Sequence, residues 1–108
     1  MIKPSKVQFI SEELEKDYES LPEDDFLKKS IKRAINDLKQ NAFCGLQIPK
    51  KLIPHEYIKK YYIKNLWKYD LPNGWRLMYT ITFENEVELI SAILEWFNHK
   101  RYERRFNY

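Results

Sequence analysis

The spacing of apolar residues predicts two amphipathic helices in the first half of the chain. Leu14, Tyr18 and Leu21 recur at i, i+4 and i+7, which is the spacing of one helix face. Ser11 precedes them and is suited to cap the helix N-terminus. A second helical stripe comprises Leu27, Ile31, Ala34, Ile35, Leu38 and Ala42. Two helices with one apolar face each are expected to form an antiparallel hairpin that packs on a flat surface.

Local motifs predict where the second helix begins and ends. Residues 20–23 read Ser-Leu-Pro-Glu, a capping-box pattern with proline in the first helical turn. Gly45 follows the apolar stripe and is expected to end the helix as its C′ glycine.

Alternation of apolar and polar residues predicts the strands. Residues 6–10 alternate weakly and indicate a first strand, and residues 65–71 and 75–83 alternate more clearly. Asn73-Gly74 between the last two tolerates the positive φ that a type I′ hairpin turn requires. After a turn at 84–86, residues 87–96 are apolar on both faces, as is typical of a central strand. Residues 49–54 indicate a basic loop, and residues 55–62 fit either a helical turn or an irregular segment.

The resulting order is β-α-α-β-β-β, which predicts an α+β fold. We expect an N-terminal strand, a two-helix hairpin packed on an antiparallel β-meander, and a short C-terminal helical tail. The tryptophans at 67, 75 and 96 are assigned to the core. With 108 residues and 44% hydrophobic content, the whole chain, residues 1–108, is expected to be one domain.

The cysteine content, the N-terminal residues and the apolar stretches together indicate a cytoplasmic location. Cys44 is the single cysteine and is interpreted as a small buried thiol in a reducing cytoplasm. The first residues are charged and lack the apolar core of a signal peptide. The longest apolar stretches are strand-sized, so no membrane association is expected.

Charge is distributed unevenly along the chain. Residues 12–25 contain eight acidic residues and one base, whereas residues 46–108 contain eleven Lys or Arg against seven Asp or Glu. This asymmetry fits a polyanion or an acidic protein as partner on one face, or simply an uneven solvated surface.

The motifs of several catalytic classes are absent. Gly45 and Gly74 are isolated, so neither a P-loop nor a GxGxxG motif exists and no nucleotide cofactor is expected. His55, His99 and one cysteine are too few for a structural zinc site. Any catalysis is therefore expected to be metal-free acid–base and electrostatic chemistry.

Two segments carry a family resemblance. Gly74-Trp75-Arg76-Leu77-Met78-Tyr79 resembles the Gly-aromatic-Arg-aliphatic-aliphatic-Tyr strand of RelE/ParE-family toxins. Residues 96–106 are similar to that family's C-terminal segment, in which His or Arg is followed by Tyr or Phe. The order of elements agrees from residue 6 onward, so the resemblance covers nearly the whole chain.

The resemblance implies a site and a reaction. The implied catalytic residues are Arg76 as the phosphate clamp, His99 as acid or base, Lys68 as a strand lysine, and Tyr102 as a base-stacking or proton-donating aromatic. The basic tail Lys100, Arg101, Arg104 and Arg105 would bind RNA. The general base could be His99, Lys68 or Asp70.

The same residues also have purely structural interpretations. Arg76 could form a sheet-face ion pair with Asp70 or Glu88. His99 could be a surface or capping histidine, and Tyr102 with Phe106 could dock a helical turn on the core. If the turn at residues 84–86 joins two antiparallel strands, the numbers of paired residues sum to about 170. Trp75 would then lie near Glu95, and His99 would lie just beyond the sheet.

The implied function is that of a type II toxin–antitoxin toxin. It would be a metal-independent endoribonuclease that cleaves mRNA by 2′-OH attack, in the ribosomal A site, without a cofactor. Its partners would be mRNA, the ribosome and an acidic antitoxin that covers the basic face. The alternative is a non-enzymatic, ParE-like gyrase poison or a catalytically degenerate protein that binds an antitoxin.

Overall fold

A five-stranded mixed sheet forms the centre of the computed structural model, which describes residues 2–106. The strands are β1 (Ser5–Phe9), β2 (Leu46–Gln47), β3 (Trp67–Asp70), β4 (Arg76–Phe83) and β5 (Leu89–Phe97). They lie in the order β1-β5-β4-β3-β2. β1 runs parallel to β5, and the other neighbouring strands are antiparallel. The α+β class and the central position of β5 are confirmed.

Within residues 2–106, four α-helices cover the sheet on both faces. They are α1 (Glu12–Ser20), α2 (Phe26–Gln40), α3 (His55–Tyr61) and α4 (His99–Arg105). α1 and α2 pack on one face, where Ile31 and Leu38 contact a core that includes Leu77. α3 and α4 contribute Tyr57 and Tyr102 to a second core on the other face. The sheet is thus buried on both sides, which the prediction of a single helical hairpin did not include.

The start of α2 differs from the prediction. The helix begins at Phe26 and its N-cap is Asp25, whose side chain accepts a hydrogen bond of 2.7 Å from the Leu27 amide. The predicted capping box at residues 20–23 is wrong because Glu23 has another partner. Its carboxylate lies 2.6 Å from Lys28 Nζ and ties the α1–α2 connection to α2. The Ser11 cap of α1 is confirmed, since Ser11 Oγ accepts from the Leu14 amide.

Gly45 has a different role from the predicted helix C-cap. α2 ends at Gln40 with Asn41 as C-cap, and Gly45 lies against β3 and β4 instead. A Cβ atom at position 45 would lie 2.5 Å from the Lys68 carbonyl oxygen and 2.6 Å from Tyr79 Oη. The Tyr79 hydroxyl accepts from the Gly45 amide and donates to the Ala42 carbonyl. Gly45 is therefore required for a close approach of backbone to the sheet.

The segment around Gly45 contains two further corrections. β2 follows directly and was not predicted, because two residues are too few to show an alternating pattern. Cys44, predicted to be buried, is exposed, and the neighbouring Ala42 enters the core in its place.

In the second half of the chain, the structure defines the conformation of residues 55–62, which the sequence pattern left undecided. Residues 55–61 are helical, and the basic loop contains a 3-10 turn over Lys50–Leu52. The turn between β3 and β4 has Asn73 at φ 59° and Gly74 at φ 77°, so the predicted positive φ values are confirmed. The alternating faces of β3 are also confirmed, since Trp67, Tyr69 and Leu71 all contact the α1–α2 core.

The register of β4 and β5 differs from the prediction by a few residues. Arg76 pairs with Phe97 and Met78 with Glu95, so Trp75 does not lie beside Glu95. Phe83 pairs with Leu89, and a register shift occurs between Met78 and Tyr79. The turn is longer than predicted, which displaces the pairing by two residues, and the bulge displaces it by one more, so Trp75 lies three residues from its predicted register.

Within residues 2–106 no helix is long and apolar enough to cross a membrane.

We predict that Gly45→Ala destabilises the protein by about 1–3 kcal/mol, because the added methyl overlaps the sheet backbone and the Tyr79 ring. Urea unfolding followed by tryptophan fluorescence measures the change. Gln47→Ala, at an exposed position two residues further along the chain, is the control and should change the free energy of unfolding by less than about 0.5 kcal/mol. An unchanged midpoint for Gly45→Ala would contradict the close approach.

Candidate functional site

The β3–β4 hairpin brings Lys68 and Arg76 together. Arg76 lies directly opposite Asp70, and Lys68 precedes Asp70 by two residues, so all three project from the same face. Asp70 Oδ1 lies 3.0 Å from Arg76 Nε and 3.6 Å from Lys68 Nζ. The predicted ion pair of Arg76 with Asp70 is therefore present, and Lys68 shares the carboxylate.

Arg76 retains hydrogen-bonding capacity despite this ion pair. Its Nε is buried and makes no aligned hydrogen bond to any described residue, although Asp70 is close. Nη1 donates only to the Trp75 carbonyl oxygen, at 3.3 Å. The guanidinium is therefore held mainly by its ion pair with Asp70, and an external anion would have to contact its other nitrogen atoms or displace Asp70.

Tyr102 of α4 covers the two cations. Lys68 Nζ lies 5.3 Å and the Arg76 guanidinium 5.1 Å from the centre of its ring. Tyr102 itself is 4% exposed, and its ring stacks on Phe106 at 4.6 Å. This burial agrees with the interpretation that Tyr102 and Phe106 dock a helical turn on the core. Stacking of Tyr102 on a nucleobase would require α4 to move. The side chains of Lys68 and Arg76 are each only 17% exposed as a result.

His99 lies beside the β3–β4 turn, at the start of α4. A Cβ atom at position 74 would lie 3.3 Å from that of His99, so the expected position just beyond the sheet is confirmed. The imidazole is exposed, and its Nε2 lies 2.8 Å from Glu103 Oε1. Among the described residues, no ion pair or hydrogen bond joins His99 to Lys68 or Arg76.

Arg105 holds elements of the fold together. Its guanidinium lies 3.3 Å from Glu56 on α3 and 3.0 Å from Glu95 on β5. The same group lies over the rings of Tyr57 and Phe97. Burial, together with the Glu95 carboxylate, raises the pKa of the Tyr57 hydroxyl far above its usual range. Of the four predicted RNA-binding residues, Arg105 is thus engaged within the protein.

The rest of the basic tail is open to solvent. Lys100, Arg101 and Arg104 are exposed on α4. Arg101 and Arg104 line a cavity of about 230 Å³ together with Arg105 and Glu56. α4 packs on the sheet face opposite the acidic α1, so the basic tail and the acidic helix lie on opposite sides.

The chain has no significant match among protein-family models, curated proteins or solved structures. Within the described residues, no group of three or more His, Cys, Asp or Glu side chains is arranged to hold a metal ion.

Sequence reasoning missed two carboxylates that contact Arg105 and three exposed lysines at the end of α3 and just after it. Glu56 and Glu95 are separated from Arg105 in sequence, and only the pairing of α3, β5 and α4 brings them together. The lysines Lys59, Lys60 and Lys64 could have been noticed, because residues 57–69 contain four lysines and no acidic residue.

We predict that Asp70→Asn strengthens the binding of inorganic phosphate about fivefold at low salt. The substitution removes a negative charge at ion-pair distance from both cations, an effect of about 1 kcal/mol in a water-like dielectric. NMR titration of the Arg76 Nε–H resonance measures the affinity. Glu86→Gln, an exposed acid in the β4–β5 turn, is the matched control and should leave binding unchanged. A weaker affinity in Asp70→Asn would show that Asp70 organises the cations for binding.

Proposed function

We propose that this protein is an RNA-directed toxin of the RelE/ParE type that acts as a metal-independent endoribonuclease. The observation that carries the proposal is that strand pairing places Lys68 and Arg76 on the same sheet face, where each side chain is only 17% exposed and both lie at ion-pair distance from Asp70. Two cations that are largely buried at one position are suited to bind a phosphodiester, because ionic contacts are stronger in a site with little water than in bulk water. The family resemblance at residues 74–79 and 96–106 adds to this support.

The proposed reaction uses the 2′-OH of the substrate as nucleophile. A base removes the 2′ proton, the 2′ oxygen bonds to phosphorus, and the P–O5′ bond breaks. The departing 5′ oxygen takes a proton, so the products are a 2′,3′-cyclic phosphate and a 5′-OH end. Arg76 and Lys68 would stabilise the additional negative charge on the phosphate in the transition state.

Three side chains remain candidates for the base. Asp70 is adjacent to the phosphate-binding cations and is exposed. His99 is exposed at the edge of the same region, with a side-chain type whose ordinary pKa lies near neutrality. Lys68 Nζ lies 3.6 Å from the Asp70 carboxylate, so this amine is engaged in an ion pair.

The alternative is a non-enzymatic protein, either a ParE-like gyrase poison or a degenerate antitoxin-binding member. Two observations favour it. Asp70 already neutralises part of the charge on Lys68 and Arg76, and Tyr102 is buried over both of them. In either case, we propose an acidic antitoxin as partner for the basic α4 surface, and a cytoplasmic location.

We predict that Arg76→Gln lowers the rate of mRNA cleavage, with or without ribosomes, about a hundred- to a thousandfold and relieves growth arrest. The reason is the loss of one transition-state charge contact, while glutamine preserves most of the side-chain volume. His99→Ala should lower the cleavage rate as much as Arg76→Gln does if His99 is the base, and should lower it less if Asp70 or Lys68 is the base. Lys39→Ala, at an exposed position in the last turn of α2, is the control. Wild-type protein that cleaves no RNA on translating ribosomes would favour the non-enzymatic alternative.

We predict that binding of RNA weakens steeply as salt increases. Each phosphate contacted by Lys or Arg releases condensed counterions, and the slope of log K against log salt is about −0.7 per contact for a single strand. Fluorescence anisotropy at several salt concentrations measures this slope. Replacing Arg101 and Arg104 together by alanine should reduce its magnitude by about 1.4. A salt-independent interaction would indicate a protein partner.

A further inference from the structure

Tyr62 is an exposed aromatic residue in a strained backbone conformation. It follows α3 as its C-cap, with φ 56° and ψ 38°, and its amide donates to the Ile58 carbonyl oxygen. The left-handed region is unfavourable for an L-residue with a large side chain, whereas glycine or asparagine tolerates it. Tyr62 is nevertheless 86% exposed. The ring therefore contributes little packing in return for the strain.

The surroundings of Tyr62 are basic. Lys59 and Lys60 lie in the last turn of α3, and Lys64 follows two residues after Tyr62. All three lysines are exposed, and none has a carboxylate within ion-pair distance in the described part of the chain. Lys60 Nζ lies 5.3 Å from the centre of the Tyr61 ring and lines a groove with Glu12, Glu13 and Asp17. An exposed ring beside exposed lysines offers a complementary group to both parts of a nucleotide, the ring to the base and the lysines to the phosphate.

We propose that Tyr62 is a stacking platform for an unpaired base of single-stranded RNA, with Lys59, Lys60 and Lys64 contacting the neighbouring phosphates. An exposed aromatic face receives a base without sequence preference, and lysines follow the backbone. A base within a duplex is already stacked on both sides, so the ligand class is single-stranded. α3 packs on the same sheet face as α4 and the Lys68–Arg76 pair.

This role of Tyr62 rests on the proposed RNA-directed function but is separate from cleavage. The probe is therefore a fluorescein-labelled, fully 2′-O-methylated oligoadenylate, which lacks the attacking hydroxyl and cannot be cleaved by 2′-OH attack. Its affinity is measured by fluorescence anisotropy at low salt.

Tyr62→Ala should weaken binding of this probe about tenfold, which lies at the low end of measured base–aromatic stacking. Tyr62→Phe keeps the ring and should bind within about twofold of wild type. Phe83→Ala is the matched control, since Phe83 is 65% exposed but lies next to Glu84 and Glu86. It should leave the affinity unchanged.

Tyr62→Asn separates binding from stability. Asparagine tolerates the left-handed conformation, so this variant should melt about 4 °C higher than wild type while it loses RNA affinity as Tyr62→Ala does. A lower melting temperature would show that the ring supports the fold, and would overturn the stacking role.

The remaining outcomes distinguish this proposal from the proposed function. If wild type binds the probe and Tyr62→Ala binds it equally well, the stacking role is wrong, whereas loss of cleavage in Arg76→Gln would still support the nuclease. If Tyr62→Ala relieves growth arrest without any change in RNA affinity, Tyr62 contacts a protein instead, and the stacking role is overturned.

Discussion

The burial of β5 on both faces is the constraint on which the rest of the structure depends. Leu89–Phe97 is apolar almost throughout, and it lies between β1 and β4. Ile93 contacts the core under α1 and α2, whereas Leu94 contacts the core under α3 and α4. A strand of this kind needs helices on both sides, because either face left open would expose a continuous apolar surface. The short helices α3 and α4, which have little intrinsic stability at seven residues each, are held by this requirement.

Covering the second face also determines the character of the candidate site. Lys68 and Arg76 lie on the polar positions of β3 and β4, which would face water if the sheet had only the α1–α2 layer. Because α4 packs there through Tyr102 and Phe106, the two cations are enclosed beside an aromatic ring. Enclosure raises the strength of their electrostatic contacts and requires a nearby anion, which Asp70 supplies. The site is therefore a product of packing as much as of the residue types.

The sequence predicted those features that depend on local periodicity or on single-residue backbone preferences. The α+β class, the stripes of α1 and α2, the Ser11 cap and the positive φ at Asn73 and Gly74 all belong to this group. Features decided by distant partners were missed or wrong. Glycine is needed at position 45 because Tyr79 and the Lys68 carbonyl oxygen leave no room for a Cβ atom. Glu23 pairs with Lys28 and does not form the predicted capping box. The register of β4 with β5 is displaced by a longer turn and a bulge. At the site, the spacing of Lys68, Asp70 and Arg76 indicated a shared face, but no local pattern indicated that Tyr102 would cover them.

The molecule contains two kinds of positive charge, and they differ in what they can do physically. Lys59, Lys60, Lys64 and the tail residues Lys100, Arg101 and Arg104 are exposed, so each is hydrated and screened by salt. Such charges attract a polyanion from a distance and bind it without strict geometry. Lys68 and Arg76, in contrast, are largely buried under α4, and the pairing of β3 with β4 fixes their positions. Charges that are fixed in position and largely buried interact strongly only with a group placed at one point, whereas the exposed charges can accept a partner in many positions.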